Sequence, residues 1–228
     1  MTFATLADNV ARVREAIAAV QAAEGISGDV RIVAVTKGHP PDAVRAALRA
    51  GLADVGENRV QEALAKQAEV GEAARWHLIG HLQTNKARSV AGRFAMVHSV
   101  DSVRVAEALA AAAASHGVRV PVLVQVNVAR EAQKSGCAPE EAAGLVERAG
   151  ALGGLDLVGL MTMAPFTSDE AAQRRVFGDL RRLRDALRAP GRPLPALSMG
   201  MSGDFRAAVA EGATVLRLGT VLFGERPQ

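Results

Sequence analysis

Short runs of β-branched and apolar residues alternate along the chain with segments in which apolar residues recur every three or four positions. The short runs predict strands, and the longer spacing predicts helices. The run VPVLVQVNV at residues 120–128 has a valine at every second position, which is typical of a strand buried on both faces. The predicted strands are 30–36, 52–56, 75–80, 94–99, 120–128, 156–161, 195–198 and 214–218, and the predicted helices are 41–50, 58–70, 84–91, 102–115, 139–151, 168–188 and 203–211.

The N-terminal segment predicts one more helix ahead of the first strand. Asp8 and Glu15 lie where the apolar core of a signal peptide would be, so an amphipathic helix fits better than a leader. No apolar run approaches the length of a membrane span, and we expect a cytoplasmic protein. The apolar residues at helical spacing are Leu6, Val10, Val13, Ile17 and Val20.

Eight strands joined by helical crossovers predict an α/β fold, a single (β/α)8 TIM-type barrel with an extra N-terminal helix. A doubly wound open sheet is the alternative, but no glycine-rich dinucleotide turn follows the first strand. No linker, low-complexity tract or charge block divides the chain, so residues 1–228 are expected to form one domain.

Composition narrows the function classes. The single cysteine, Cys137, excludes an internal disulfide and a cysteine-rich zinc site. The formal charge is +3, and much of the basicity lies in residues 174–188, which we interpret as a solvated helix face. Aromatic residues make up only 3% of the chain, which disfavours a specific nucleic-acid surface.

In a barrel of this kind the chemistry lies at the carboxyl ends of the strands. The residues there are polar and include no obvious metal cluster. They are Lys37 with His39, Glu57 with Asn58, His81, Ser99 with Asp101, Asn127, Met161 to Met163, Ser198 to Gly203, and Arg217 to Thr220.

Two of these loops predict a phosphate site. LSMGMSGDFRAAV follows the seventh strand and RLGT follows the eighth. Glycines let the backbone approach a ligand, and free N–H groups with small hydroxyls form an anion cradle. Phosphate sites in barrels are frequently built from these same two loops. A helix cap and a tight turn without a ligand would explain either loop alone.

Lys37 is unusual because the chain has 23 arginines and only four lysines, the others being Lys66, Lys86 and Lys134. Val33, Val35 and Lys37 share one side of the first strand, which places the ammonium at the barrel mouth if the valines point inward. Unlike lysine, arginine cannot deprotonate or form an imine. A lysine amine beside a phosphate site suggests pyridoxal 5′-phosphate (PLP). The alternative is another phosphorylated metabolite, as in a lysine-dependent aldolase.

Six segments carry a resemblance to a known family. They are VAVTKGHP, GENRVQEALAK, WHLIGHLQTNKAR, VNVAREAQKSG, GLMTMAP and LSMGMSGDFRAAVAEGATVLRLGTVLFG. Together they resemble the pyridoxal phosphate homeostasis protein family, and the likeness runs from about residue 5 to residue 224. That family is similar to the barrel domain of alanine racemases and related fold-type III PLP enzymes.

The resemblance implies that Lys37 holds PLP as a Schiff base. It further implies that Ser202, Gly219 and Thr220 contact the phosphate, that Arg217 faces the pyridine nitrogen, and that Asn58 lies near the ring hydroxyl. Strand parity agrees for Arg217, which points inward if Leu216 and Leu218 face the helices. The chain departs from many members around the lysine, where it has Thr36-Lys37-Gly38-His39.

Two functions remain open. The resemblance implies a protein without an established reaction that supplies or buffers PLP, affects amino-acid pools, and has PLP-dependent apoenzymes as partners. The alternative is a PLP enzyme such as a weak amino-acid racemase. Resemblance to racemases implies a catalytic tyrosine from a second domain, whereas this chain has no tyrosine and no room for that domain, which favours the carrier.

We expect a monomer because no long exposed apolar stripe is apparent. Lys86, Lys134 and His81 are left without an assigned role.

Overall fold

The predicted strands pair in sequence order and close on themselves. In this computed structural model, which describes residues 3–225, β1 hydrogen-bonds to both β2 and β8, and neighbouring strands are parallel. The predicted barrel is confirmed, and the open doubly wound sheet is wrong. The strands are β1 (Arg31–Val35), β2 (Asp54–Glu57), β3 (Arg75–Leu78), β4 (Met96–Val100), β5 (Val120–Gln125), β6 (Leu155–Met161), β7 (Ala196–Ser198) and β8 (Val215–Leu218).

Helices connect the strands around the outside of the barrel. The predicted helix 84–91 divides into a 3₁₀ turn, Thr84–Lys86, and a short α-helix. A four-residue helix after β8 was not predicted. The helices are α1 (Leu6–Glu24), α2 (Pro41–Arg49), α3 (Val60–Val70), α4 (Ala87–Val90), α5 (Val103–His116), α6 (Ala142–Ala151), α7 (Glu170–Leu187), α8 (Phe205–Ala210) and α9 (Thr220–Phe223).

Alternation along the strands separates two buried layers. Ile32 and Ala34 of β1 belong to the main apolar core between strands and helices. Val33 and Val35 are buried but lie outside that cluster, and Val35 lines a cavity at the barrel mouth. The predicted inward orientation of the valines therefore agrees with the structure, and successive side chains face opposite sides of the sheet.

The N-terminal helix closes part of the outer layer. Leu6, Val10, Val13 and Ile17 of α1 are buried, as their spacing predicts, and α1 packs on α8 and α9. In the described part of the chain, no helix combines the length and apolar character that crossing a membrane requires.

The basic helix α7 is less solvated than we expected. Arg174 pairs with Glu24 of α1 and with Glu211 after α8, and Arg181 also pairs with Glu211. These ion pairs connect α7 to its neighbours, so part of the arginine-rich face holds helices together.

Candidate functional site

A cavity of about 600 Å³ opens at the carboxyl ends of the strands. Its walls come from the loops that follow β1, β2, β3, β6, β7 and β8, together with β5 and the segment that follows it. All six predicted binding residues line this one cavity: Lys37, Asn58, Ser202, Arg217, Gly219 and Thr220. In the described residues, no group of three His, Cys, Asp or Glu side chains is placed to hold a metal ion.

Lys37 lies just beyond the end of β1, at the start of a tight turn. Val35 ends the strand, Thr36 is fully buried, and Lys37 is half-buried. Gly38 then adopts a left-handed conformation with φ of 72°. An L side chain is disfavoured there, so glycine lets the chain turn sharply after the lysine.

Both neighbours of Lys37 are held by a network centred on Lys66 of α3. The Lys66 Nζ donates to the Thr36 carbonyl at 2.8 Å, to Glu57 Oε1 at 2.7 Å and to Glu62 Oε1 at 2.8 Å. The Thr36 hydroxyl donates to Glu57 at 2.6 Å, and the Gly38 N–H donates to Glu62 at 2.8 Å. We call Thr36, Glu57, Glu62 and Lys66 the lysine clamp, because they fix the backbone on both sides of Lys37.

The clamp contains a carboxyl group that is costly to bury. Glu57 has no exposed surface, and burial raises its pKa even though Lys66 and Thr36 both donate hydrogen bonds to it. Its Oε2 is buried and has no hydrogen-bond partner in the described residues. The charged form of Glu57 therefore depends on the Lys66 ammonium.

The loops after β7 and β8 meet at Ser202. Its Oγ accepts hydrogen bonds from the Gly219 N–H at 3.1 Å and from the Val221 N–H at 3.2 Å. The N–H groups of Gly203 and Thr220 donate no hydrogen bond to any described residue. The hydroxyl and these N–H groups form a donor-rich wall that suits an anion.

Asp204 holds the loop that contains Ser202 by a hydrogen bond to its backbone. Its carboxylate accepts from the Met201 N–H at 2.5 Å, and burial raises the pKa of this group. Helix α8 begins at Phe205, with Asp204 at its N-cap, so Ser202 lies two residues before the cap.

Arg217 forms the floor of the cavity. The side chain is buried, with 4% of its surface exposed, and points inward from β8 as strand parity predicted. Its Nη1 donates to Ser198 Oγ at 2.8 Å, and its Nη2 donates to the Thr162 carbonyl at 2.9 Å. The Nε makes no hydrogen bond within the described residues. Burial lowers the pKa of Arg217 to about 10, so the guanidinium stays charged at neutral pH and can only donate.

Comparison with known proteins assigns the family. The model of the alanine racemase N-terminal domain matches residues 4–227. This chain belongs to that family. The pyridoxal phosphate homeostasis protein of Pseudomonas aeruginosa is 46% identical and covers 97% of this chain and 96% of its own length. PipY of Synechococcus elongatus, solved with PLP bound, is 38% identical with a TM-score of 0.85, over 96% of this chain and 100% of that chain.

A solved alanine racemase shares the barrel at lower identity. The alanine racemase of Clostridium difficile is 18% identical with a TM-score of 0.77, over 97% of this chain and 60% of that chain. At this identity the likeness concerns the fold alone. The resemblance to the pyridoxal phosphate homeostasis proteins, seen in the sequence motifs, is confirmed.

In this chain, several of the predicted strand-end residues do not line the cavity. Ser99 is buried and donates to the Gly80 carbonyl, and Asn127 holds its own loop by donating to the Glu131 carbonyl. Met161 packs in the barrel interior. Glu57 lies behind the wall in the lysine clamp rather than in the cavity.

The three residues without an assigned role lie in different places relative to the cavity. Lys134 lines the cavity, and its ammonium donates to the Ala164 carbonyl at 2.7 Å and pairs with Glu131. His81 lies at the mouth and contacts Asp101 at 3.2 Å. Lys86 does not line the cavity.

Sequence reasoning missed the lysine clamp. Two signals could have found it: the scarcity of lysines singles out Lys66, and Glu62 precedes it by four residues, at the spacing of a helical ion pair. The exposed Phe166 at the cavity rim was also missed.

Proposed function

We propose that this chain binds PLP in the cavity at the carboxyl ends of its strands and acts in PLP homeostasis, holding the cofactor and releasing it. The observation that carries the proposal is the presence of Lys37 and of the donor-rich loops around Ser202 in one cavity. The name of the P. aeruginosa relative and the PLP-bound PipY structure support it.

The residues present fit the chemistry of PLP. Its aldehyde condenses with a primary amine, and Lys37 supplies one. Its phosphate needs several donors, and the Ser202 hydroxyl with the Gly203 and Thr220 N–H groups supplies them. Asn58 would contact the ring hydroxyl.

Arg217 would face the ring nitrogen and fix its protonation state. A charged guanidinium is a donor only, so an acceptor nitrogen opposite it remains unprotonated. An unprotonated pyridine is a weaker electron sink than a protonated one, which disfavours chemistry at the amino-acid α-carbon.

The first experiment is an absorbance spectrum with added PLP, followed by borohydride reduction and peptide mapping. We expect a visible band and a reduced adduct on Lys37. Lys37→Ala should lose both, whereas Lys134→Ala, which removes another amine lining the cavity, should keep both. An adduct that persists in Lys37→Ala would refute the assignment.

We further propose that the chain has no amino-acid reaction of its own, although racemases share its fold. The chain contains no tyrosine, the residue that resemblance to racemases implies as a second base. Incubation of the PLP-loaded protein with L-alanine should give no more D-alanine than free PLP gives. Racemisation that disappears in Lys37→Ala would establish the racemase alternative.

PLP-dependent apoenzymes are the proposed recipients, and we expect the carrier to be monomeric. In residues 3–225 the exposed large apolar side chains are Val103, Phe166 and Met201, too few for a stable interface. Sedimentation of the PLP-loaded protein would test the monomer. Activation of an apoenzyme faster than the rate of PLP release to water would show direct transfer.

A further inference from the structure

A row of buried polar side chains crosses the barrel interior and ends at Arg217. Asp54 Oδ1 lies 2.8 Å from His77 Nε2, His77 Nδ1 lies 2.9 Å from His98 Nε2, and His98 Nδ1 lies 2.8 Å from Ser198 Oγ. Ser198 Oγ accepts from Arg217 Nη1 at 2.8 Å. We call Asp54, His77, His98 and Ser198 the interior relay. Barrel interiors are usually filled by branched apolar side chains, so this row needs an explanation.

One order of donors and acceptors satisfies every contact in the row. The Asp54 carboxylate only accepts, so His77 carries its proton on Nε2. His77 Nδ1 then accepts from His98 Nε2–H, and His98 Nδ1 accepts from the Ser198 hydroxyl. The Ser198 oxygen is left to accept from Arg217. Each hydrogen bond points from Arg217 toward Asp54.

The charges at the two ends match this order. Burial would raise the pKa of Asp54, but hydrogen bonds from His77 and Arg75 outweigh burial and hold the pKa well below its usual range. Burial lowers the pKa of His98 well below its ordinary value, and the nearby Arg217 guanidinium acts in the same direction. An anion therefore lies at one end of the row, a guanidinium at the other, and a neutral imidazole between them.

Other charged groups face the relay from its two ends. At the Asp54 end, Arg75 donates two hydrogen bonds to the carboxylate, and Arg31 lies 3.9 Å from it. A second cavity, of about 760 Å³, opens there and is lined by all three residues. At the Arg217 end the Asp204 carboxylate is the charge that favours the guanidinium.

We propose that Asp54, His77, His98 and Ser198 are positioning residues that hold the Arg217 guanidinium in one orientation toward the cavity. This inference rests on the proposed function, because it assigns the relay the task of presenting Arg217 to the ring of a bound PLP. The Thr162 carbonyl and Ser198 fix the two terminal nitrogens of Arg217, so losing the hydroxyl orientation at Ser198 would free one side of the fork.

The test alters the relay at a residue that does not touch Arg217. His77→Leu removes the partner of both Asp54 and His98, and His77→Gln keeps an amide donor and acceptor in case the leucine variant does not fold. Leu78→Ala is the matched control, because Leu78 is the next residue of β3, is equally buried, and belongs to the outer apolar core. Ser198→Ala and Ser198→Thr test the link nearest to Arg217.

Two readouts are needed, and the first uses the protein without PLP. Nitrogen-15 NMR should show wild-type His98 neutral with its proton on Nε2. Exchange of the Arg217 N–H protons with water should accelerate about tenfold in His77→Leu and in Ser198→Ala, the effect of losing one hydrogen bond to a charged group. Ser198→Thr should restore slow exchange, and Leu78→Ala should lose stability without accelerating it.

The second readout is the dissociation constant for PLP, which should rise about tenfold in the same variants. Unchanged Arg217 exchange in both folded His77 variants, or a His98 proton on Nδ1, would overturn the relay. Failure of the wild-type protein to bind PLP would instead overturn the proposed function, while the NMR result without PLP would still decide whether the relay positions Arg217.

Discussion

Replacing Lys66 by methionine should destabilise the protein by an amount that depends on pH. The substitution keeps most of the side-chain volume but removes the ammonium. Among residues 3–225, the Thr36 hydroxyl is then the one donor left to the fully buried Glu57 carboxyl. Removing one partner of a buried ion pair commonly costs about 3–5 kcal/mol. That is a large part of the total stability of a typical domain, about 5–15 kcal/mol.

Protonation of Glu57 limits the electrostatic part of this loss in unfolding free energy, because the carboxyl becomes neutral once burying its charge costs more than binding a proton. At pH 7 a carboxyl with an ordinary pKa of about 4.3 can be protonated for about 3.7 kcal/mol, and at pH 5.5 for about 1.6 kcal/mol. Burial raises the pKa of Glu57 and the Lys66 ammonium lowers it, so removing the ammonium raises the pKa further and the folded variant binds the proton more tightly than the folded wild type. Lowering the pH therefore stabilises the variant more than the wild type, and the loss should shrink by up to about 2 kcal/mol between these two values.

Urea unfolding followed by the fluorescence of Trp76 measures the effect, because Trp76 is the single tryptophan and is buried. Lys86→Met is the matched control; Lys86 makes no ion pair within residues 3–225, and its loss should change the free energy of unfolding by less than about 0.5 kcal/mol. Glu57→Gln combined with Lys66→Met should recover most of the stability and remove the pH dependence. A loss that is equal at both pH values, or a double variant as unstable as Lys66→Met, would refute the reasoning.

Three further predictions concern the turn, the anion wall and the relay. Gly38→Ala should cost about 1–2 kcal/mol, because φ is 72° there, and should weaken PLP binding. Gly117→Ala, at a left-handed φ of 64° away from the cavity, should cost a similar amount in thermal unfolding without changing the affinity for PLP. Ser202→Ala should weaken PLP binding about tenfold, measured by titration, but should leave the binding of pyridoxal, which lacks the phosphate, nearly unchanged. Equal losses of affinity for both ligands would contradict a contact between Ser202 and the phosphate. The pKa of Asp54 is lowered in the folded state, so the carboxylate stabilises the fold above its unfolded pKa of about 3.9 and loses this effect as the pH falls toward the folded value. The difference in unfolding free energy between wild type and Asp54→Asn should therefore shrink below about pH 4. A difference that stays constant with pH would contradict the lowered pKa.

Periodicity predicted the barrel because buried parallel strands and amphipathic helices differ in spacing over several residues. It was least accurate where local hydrogen bonds decide the end of an element. The run at 120–128 stays valine-rich, yet β5 ends at Gln125, because Val126 forms an isolated bridge to Cys137 and the chain then turns. The predicted helix 84–91 is interrupted for the same kind of reason, by a 3₁₀ turn that ends at Lys86.

The cavity residues were accessible from sequence because each belongs to a short motif at the end of a strand. The residues behind them were not. His98 and Ser198 meet across the barrel although 100 positions separate them, and neither has a neighbour in sequence that indicates the contact. Lys66 and Glu57 belong to different elements and meet only when α3 packs beside β2. Such pairs depend on the register and closure of the barrel, which spacing along the chain does not fix.

Two networks outside the cavity therefore hold the two groups on which the proposed function depends. The lysine clamp fixes the backbone on both sides of Lys37, and the interior relay fixes one nitrogen of Arg217. A buried polar network stabilises a structure only when its members are satisfied, so partial loss costs more than complete replacement by apolar residues. If the networks serve stability alone, apolar replacement of a whole network should be neutral for PLP binding. If they position Lys37 and Arg217, the same replacement should restore stability and still leave the affinity for PLP low.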